Sequence, residues 1–216
     1  MITQAPTSSS CASLSPEALL SRLTHHEQAA LFREQTDTLL PIDRYWQDPG
    51  RLLSDVGLDP YPWQREVLCS PPDENLLLCC ARQVGKTYTV AALALKAAIL
   101  EAPAMVLLLA PTLRQSGELF RDKVLKIYRK LRRPVPIRRQ TGTEIELENG
   151  SRIIALPENE IGVVGFSSVN LLVIDEASKV SDGLYYSVRP TLAASQGRID
   201  LLSTPYAKRR IFFDAI

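Results

Sequence analysis

One stretch constrains this chain more than any other: Asn75 to Thr87, NLLLCCARQVGKT, where an apolar run breaks into a polar loop closing on Gly-Lys-Thr. Leu76, Leu77, Leu78, Cys79 and Cys80 have the length and unbroken apolarity of a parallel strand covered on both faces. Tyr88 to Leu100, YTVAALALKAAIL, is rich in Ala and Leu, lacks Gly and Pro, and reads as a helix. Strand, loop and helix in that order form the frame in which backbone N–H groups converge on a phosphate. In that frame Lys86 reaches the β- and γ-phosphates and Thr87 offers its hydroxyl to a magnesium ion, while Gly85 lets the backbone come close where a side chain would collide. The loop departs from the common pattern G-x-x-x-x-G-K-[ST] by carrying Cys80 where glycine is usual. Taken alone, therefore, Gly-Lys-Thr is also compatible with the start of an ordinary surface helix.

At 216 residues the chain is one domain of comfortable size or a domain with an appendage, and its 45% hydrophobic composition is ample for a real core. The 25 basic and 24 acidic residues nearly cancel, so the overall charge selects no nucleic-acid partner and any such surface is local. No stretch approaches the roughly eighteen apolar residues of a membrane span. The N-terminus, MITQAPTSSSCASLSPE, has neither the basic head nor the apolar core of a secretory signal, so a location inside the cell is expected. Cys11, Cys69, Cys79 and Cys80 show no C-x-x-C spacing and read as free core thiols plus one in the tail. His25 and His26 are neighbours on an expected helix, point in different directions, and suit no metal.

Residues 1–14, rich in Ser, Thr, Ala and Pro, read as a flexible tail, and 15–58 as a helical extension ahead of the main domain at 59–216. Ser15-Pro16-Glu17 is a helix start. Thr24 and Glu27, at capping-box spacing, open a second helical segment that should run to about Leu40 and stop at Pro41. Asp59 to Leu68, DPYPWQREVL, is a turn leading into a short helix. There the Gln64 amide could read adenine with Tyr61 or Trp63 stacked on the base, or the aromatics could simply pin the approach to the core. Met105 to Ala110 is a second buried strand, and Leu113 to Leu131 a crossover helix with Leu119, Phe120, Val124, Leu125 and Tyr128 on its inner face. Its other face is basic, with Arg121, Lys123, Lys126, Arg129, Lys130, Arg132 and Arg133, and Arg138 and Arg139 follow. That face is either solvated or fitted to a DNA backbone or an acidic partner. Thr143 to Leu156 reads as a hairpin turned at Asn149-Gly150. Leu171 to Ile174 and Ile199 to Leu202 are further core strands, separated by a helix from Asp182 to Ala194 that Pro190 kinks or divides.

Two strand ends answer the phosphate loop chemically. Asp175, closing LLVI, suits a magnesium held through water, and Glu176 suits a base that polarises an attacking water. Both would lie at the carboxyl edge of a parallel sheet, where open α/β folds bind ligands, with Ser203 and Thr204 on the same edge. The expected class is α/β: a P-loop NTPase core, with a mostly parallel sheet flanked by helices.

CARQVGKT with its Arg-Gln pair, the upstream YPWQ, LLVIDEAS and LLSTPYAKRRIFF together resemble the ATPase domain of the large terminase subunit, the genome-packaging motor of tailed bacteriophages. The resemblance spans about Asp59 to Phe213, in the family's order, and a replaced first loop glycine is usual there. It implies an ATP hydrolase that drives double-stranded DNA into a procapsid. The loop residues Cys80, Ala81, Arg82, Gln83, Val84, Gly85, Lys86 and Thr87 would hold ATP, with Gln64 as adenine reader. Thr87 and Asp175 would take Mg2+, Glu176 would be the catalytic base, and Arg82 an arginine finger in its own or a neighbouring subunit. Ser203, Thr204 and Pro205 match the coupling motif. The implied partners are the small terminase subunit, the portal protein and further copies in a ring, with no membrane. The implied location is the host cytoplasm, transiently at the procapsid portal. Two departures stand out: Gly165 is preceded by Val164 where the family often has Arg, and the lid and nuclease regions of large terminases are not found up to Ile216. No nuclease activity is expected. The rival readings are another DNA-dependent P-loop ATPase such as a helicase, and a truncated remnant that binds nucleotide without turnover.

Overall fold

The computed structural model describes residues 41–159 and 165–204, together with Phe212. The expected tail, the helical segments up to Leu40, Val164 and Pro205 lie outside the described residues. Pro41 is the first described residue of α1 (Pro41–Gln47), and the helical segment that it is expected to stop lies outside the described residues. Helix α2 (Arg51–Ser54) follows, and Tyr45, Leu52, Leu53 and Val56 are buried in the same apolar cluster as the main domain. One compact unit begins at Pro41.

Seven strands form one mixed sheet in the order β1-β7-β6-β2-β5-β4-β3. β1 (Leu76–Cys79), β7 (Arg198–Ser203), β6 (Leu171–Asp175), β2 (Met105–Ala110) and β5 (Arg152–Pro157) run parallel. β4 (Glu144–Leu147) and β3 (Ile137–Gln140) add antiparallel pairs at one edge. Strand alternation divides the core in two. Val106, Leu108, Leu171 and Val173 enter one cluster, while Leu107, Leu109, Leu172 and Ile174 enter the other. The first cluster also takes α4 (Lys86–Leu100), whose apolar residues are buried all round, and the second takes α7 (Asp182–Val188).

The crossover helix keeps its expected inner face: Leu119, Phe120, Val124, Leu125 and Tyr128 are all buried. Its middle, however, is a π turn. Between α5 (Leu113–Glu118) and α6 (Leu125–Lys130), residues Leu119–Val124 widen the helix, and the Leu125 N–H donates to Phe120 O, five residues back. The hairpin turns where expected, with Gly150 at φ 86°, and the Asn149 amide donates to Ala98 O and accepts from Ser151 N–H. Pro190 does divide its segment, α7 giving way to a 3-10 turn at Arg189–Leu192.

Three expectations are corrected. β1 is not covered on all sides: it is the outermost strand, with Leu76, Leu77 and Leu78 half-buried and Cys79 exposed, because an edge strand has a neighbour on one side only. For the same reason Cys79 is no core thiol, and Cys69, at the end of α3 (Pro62–Cys69), is also exposed. Finally, Arg138 and Arg139 do not extend the basic face. They lie on β3, a strand not anticipated, and pair across it with Glu146 and Glu144. Among the described residues, no helix is long and apolar enough to cross a membrane.

Candidate active site

The loop after β1 alternates in backbone handedness, with Gln83 at φ 62° and Gly85 at φ 88°. Such alternation turns successive N–H groups toward one point, the geometry that holds an anion. α4 starts at Lys86, two residues before the expected Tyr88, so the loop opens directly into the positive end of a helix. Gly85 is fixed for two reasons: its φ, and a Cβ there would lie 2.9 Å from Gln64 Nε2. Cys80 takes the position of the usual glycine with its N–H donating to Ser203 O at 3.0 Å. Burial pushes its thiol pKa up, against the pull of the Lys86 charge, so the thiol stays neutral.

Lys86 is buried, and its ammonium donates to Ala81 O at 2.8 Å, Cys80 O at 3.3 Å and Thr204 Oγ1 at 2.8 Å. The last bond ties the loop to the end of β7. Ser203, fully buried, ties the same strand end to the turn after β6: its Oγ accepts from Ser178 N–H and lies 2.6 Å from Ser178 Oγ. The two strand-end hydroxyls thus connect the loop to the segment that follows Asp175 and Glu176.

Asp175 closes β6, and its Oδ1 accepts from Glu176 N–H at 2.9 Å. Burial, reinforced by the negative charge of Glu176, raises its pKa to about 6. Glu176 sits in the left-handed region, φ 54° and ψ 40°, a costly conformation for a residue with a Cβ and one that gathers at functional sites. Its carboxylate pairs with Lys179 at 3.1 Å.

These groups share two adjoining cavities. One, of about 540 Å³, is lined by Arg82, Lys86, Thr87, Lys123, Glu176 and Thr204 among others. The other, of about 210 Å³, is lined by Thr87, Asp175, Glu176, Glu118 and Lys123. A hydroxyl and a carboxylate on one small cavity are a donor set that suits magnesium, which keeps much of its shell as water and phosphate oxygen. Arg82 is exposed on the larger cavity, and among the described residues no carboxylate pairs with it.

Gln64 is placed differently. It is buried; its Oε1 accepts from Tyr61 N–H at 2.9 Å, and its Nε2 donates to Thr89 Oγ1 at 2.8 Å and Gly85 O at 3.4 Å. With both amide hydrogens engaged, it braces the loop from behind, and Trp63 packs against the core. Tyr61, 61% exposed, is the aromatic left free to meet a base. Ala81 and Val84 line neither cavity. Sequence reasoning gave Lys123 only a surface role and missed Ser178 and Lys179 altogether. Lys123 carried no signal of its own because a regular helix would not single it out.

The family model described as "Terminase large subunit, T4likevirus-type, N-terminal" matches residues 77–215, well over half of the sequence. The chain belongs to the large terminase family. Among solved structures, the large terminase ATPase domain of Thermus phage P74-26 is similar at 18% identity and TM-score 0.66, covering 82% of this chain and 74% of that one. A point variant of that domain gives a TM-score of 0.65 at the same identity and coverage. The large terminase of bacteriophage HK97 is similar at 20% identity and TM-score 0.57, covering 72% of this chain and 37% of that chain. At such identities the likeness speaks for the fold, that of a P-loop ATPase domain. No curated protein sequence matches. Terminase membership argues against the helicase reading.

Proposed function

We propose that this chain is the ATPase motor domain of a phage large terminase, hydrolysing ATP to drive double-stranded DNA into a procapsid. The observation that carries the reading is the meeting of Lys86, Thr87, Asp175 and Glu176 on adjoining cavities at the carboxyl edge of the sheet, with Lys86 bonded to Thr204.

The loop N–H groups and Lys86 bind and orient the triphosphate, and Thr87 and Asp175 are the residues that would hold Mg2+. When bound, the ion screens phosphate charge. Glu176, held by its pairing with Lys179, accepts a proton from the attacking water. Arg82 supplies a guanidinium toward the developing charge, from this subunit or to a neighbour. A bound triphosphate competes with Ala81 O and Thr204 Oγ1 for the Lys86 ammonium. Release of Thr204 then reports phosphate occupancy to β7, and through Ser203 and Ser178 to the turn beside Glu176.

For DNA, the support is a groove of about 440 Å³ lined by Arg121, Asp122, Lys123, Lys126, Arg129 and Lys130. Among the described residues, none of these cations pairs with a carboxylate, unlike Arg138 and Arg139. Such a surface fits a phosphate backbone and reads no sequence. The small terminase subunit, the portal protein and further copies in a ring are proposed from family membership alone, as is the setting in the host cytoplasm and at the portal. The residue boundaries 1–14, 15–58 and 59–216 stay a proposal for the division of the chain. No nuclease residues are assigned.

The test is magnesium-dependent ATP hydrolysis with and without duplex DNA, over a range of protein concentrations. Turnover abolished by Lys86→Ala and Glu176→Gln, with a specific rate that climbs with concentration, supports a motor completed by its neighbour. Nucleotide binding that Lys86→Ala removes, without turnover under any condition, would instead identify a non-catalytic remnant.

A further inference from the structure

Lys123 is the one basic residue of the crossover helix that reaches both phosphate-site cavities. It lies in the π turn and is half-buried, whereas Arg121, Lys126, Arg129 and Lys130 on the same helix are exposed. Its Nζ stands 4.1 Å from the centroid of the Tyr88 ring, and Tyr88 is the residue after Thr87.

The manner in which this ammonium is held matters. Asp175, Glu176 and Glu118 line the same small cavity, yet among the described residues none forms an ion pair with Lys123. Glu118 is taken by Arg114 and Glu176 by Lys179. A carboxylate partner would neutralise the ammonium, whereas an aromatic face attracts it only weakly and leaves its charge available. A positive charge parked on a ring beside the magnesium hydroxyl is positioned to bind an anion. The π turn contributes to this placement: one extra residue per turn keeps Leu119, Phe120 and Val124 in the core while admitting Lys123 to the cavity.

We propose that Lys123 contacts the terminal phosphate of the bound nucleoside triphosphate, swinging from the Tyr88 ring to a γ-phosphate oxygen, and so makes the site prefer triphosphate over diphosphate. The proposal rests on the reading of the loop as an ATP site. Lys86, held by loop carbonyls, serves the β- and γ-phosphates from the loop side; Lys123 approaches from the crossover helix.

The experiment measures the affinities of the β,γ-imido analogue of ATP and of ADP, both with magnesium, for the wild type, Lys123→Ala, Lys123→Arg and Lys86→Ala. Thermal melts confirm folding. Loss of a charge-assisted contact should weaken the analogue by about tenfold in Lys123→Ala while ADP changes less than about twofold, and Lys123→Arg should restore most of the analogue's affinity. Equal weakening of both nucleotides, or of neither, overturns the proposal and leaves Lys123 as a packing partner of Tyr88. If the wild type binds neither nucleotide, or Lys86→Ala binds both as well as the wild type, the ATP-site reading itself fails, and the proposal with it.

Discussion

Two aspartates on neighbouring strands have the same raised pKa for opposite ends. Asp175 on β6 and Asp200 on β7 are each pushed to about 6, and burial is the main cause for both. Asp200 is fully buried in a polar cluster: Arg198 Nη2 forms an ion pair with Oδ2 at 3.1 Å without hydrogen-bond geometry, Leu76 N–H donates to Oδ1, and Arg198 also donates to Pro71 O. Lys96 completes the network through Ser70 O and Glu101. Asp175 instead faces a cavity with Thr87, and among the described residues its one hydrogen bond comes from the next residue's N–H. A perturbed carboxyl is therefore no mark of function by itself. What separates the two is whether the protein has already supplied the partners. At Asp200 it has, and the group holds β1, β7 and the segment after α3 together. At Asp175 the arrangement leaves oxygens for something from outside.

The sharpest way to break this contrast is to remove a partner from each. Arg198→Ala should strand the Asp200 carboxylate in the core and cost about 3–5 kcal/mol of stability, read from denaturant midpoints. A loss under about 1 kcal/mol would mean that Asp200 does not depend on the Arg198 ion pair. On the other side, Asp175→Asn and Glu176→Gln should lower ATP turnover by about a hundredfold or more while leaving the denaturant midpoint unchanged or slightly raised. A strongly destabilised Asp175→Asn would place Asp175 with Asp200 as a structural charge.

Much of this was legible in the sequence because it rests on local chemistry. Strand, Gly-Lys-Thr and helix, then LLVI followed by Asp-Glu, fix the sheet edge on which the site is built. The illegible part depended on neighbours that sequence does not order. The half-burial of β1 follows from its place at the sheet edge, which depends on β7, more than a hundred residues later. β3 was hidden because IRRQ looks like part of a basic surface until Glu144 and Glu146 are seen opposite. Gln64 was legible as an amide near the phosphate loop, but not as one whose hydrogens are spent on Thr89 and Gly85. Lys123 was lost in a basic run because only a π turn distinguishes it from its neighbours.

Proton linkage gives a smaller effect with a definite sign. Both aspartates have folded-state pKa values of about 6, above the unfolded value of 3.8, so the folded protein binds these protons more tightly. Their contribution is most favourable below the unfolded value and is lost as pH rises toward and through about 6. From these two groups, stability should therefore increase between pH 7 and pH 5, seen as a rise in the urea midpoint. Asp175→Asn should remove part of that slope without abolishing it, since Asp200 remains. A slope unchanged by that substitution would assign the whole effect to Asp200.

The smallest expected effect tests the other division on the surface, between paired and unpaired basic residues. Neutralising Lys126 and Arg129, exposed in the groove with no carboxylate partner among the described residues, should reduce the slope of log K for duplex DNA against log salt by about two, whatever the DNA sequence. Replacing Arg138 and Arg139 should change it less, because Glu146 and Glu144 already pair with them, although Glu144 is shared with Arg152. Equal changes from both pairs would show that the DNA senses the net charge of this face rather than the groove.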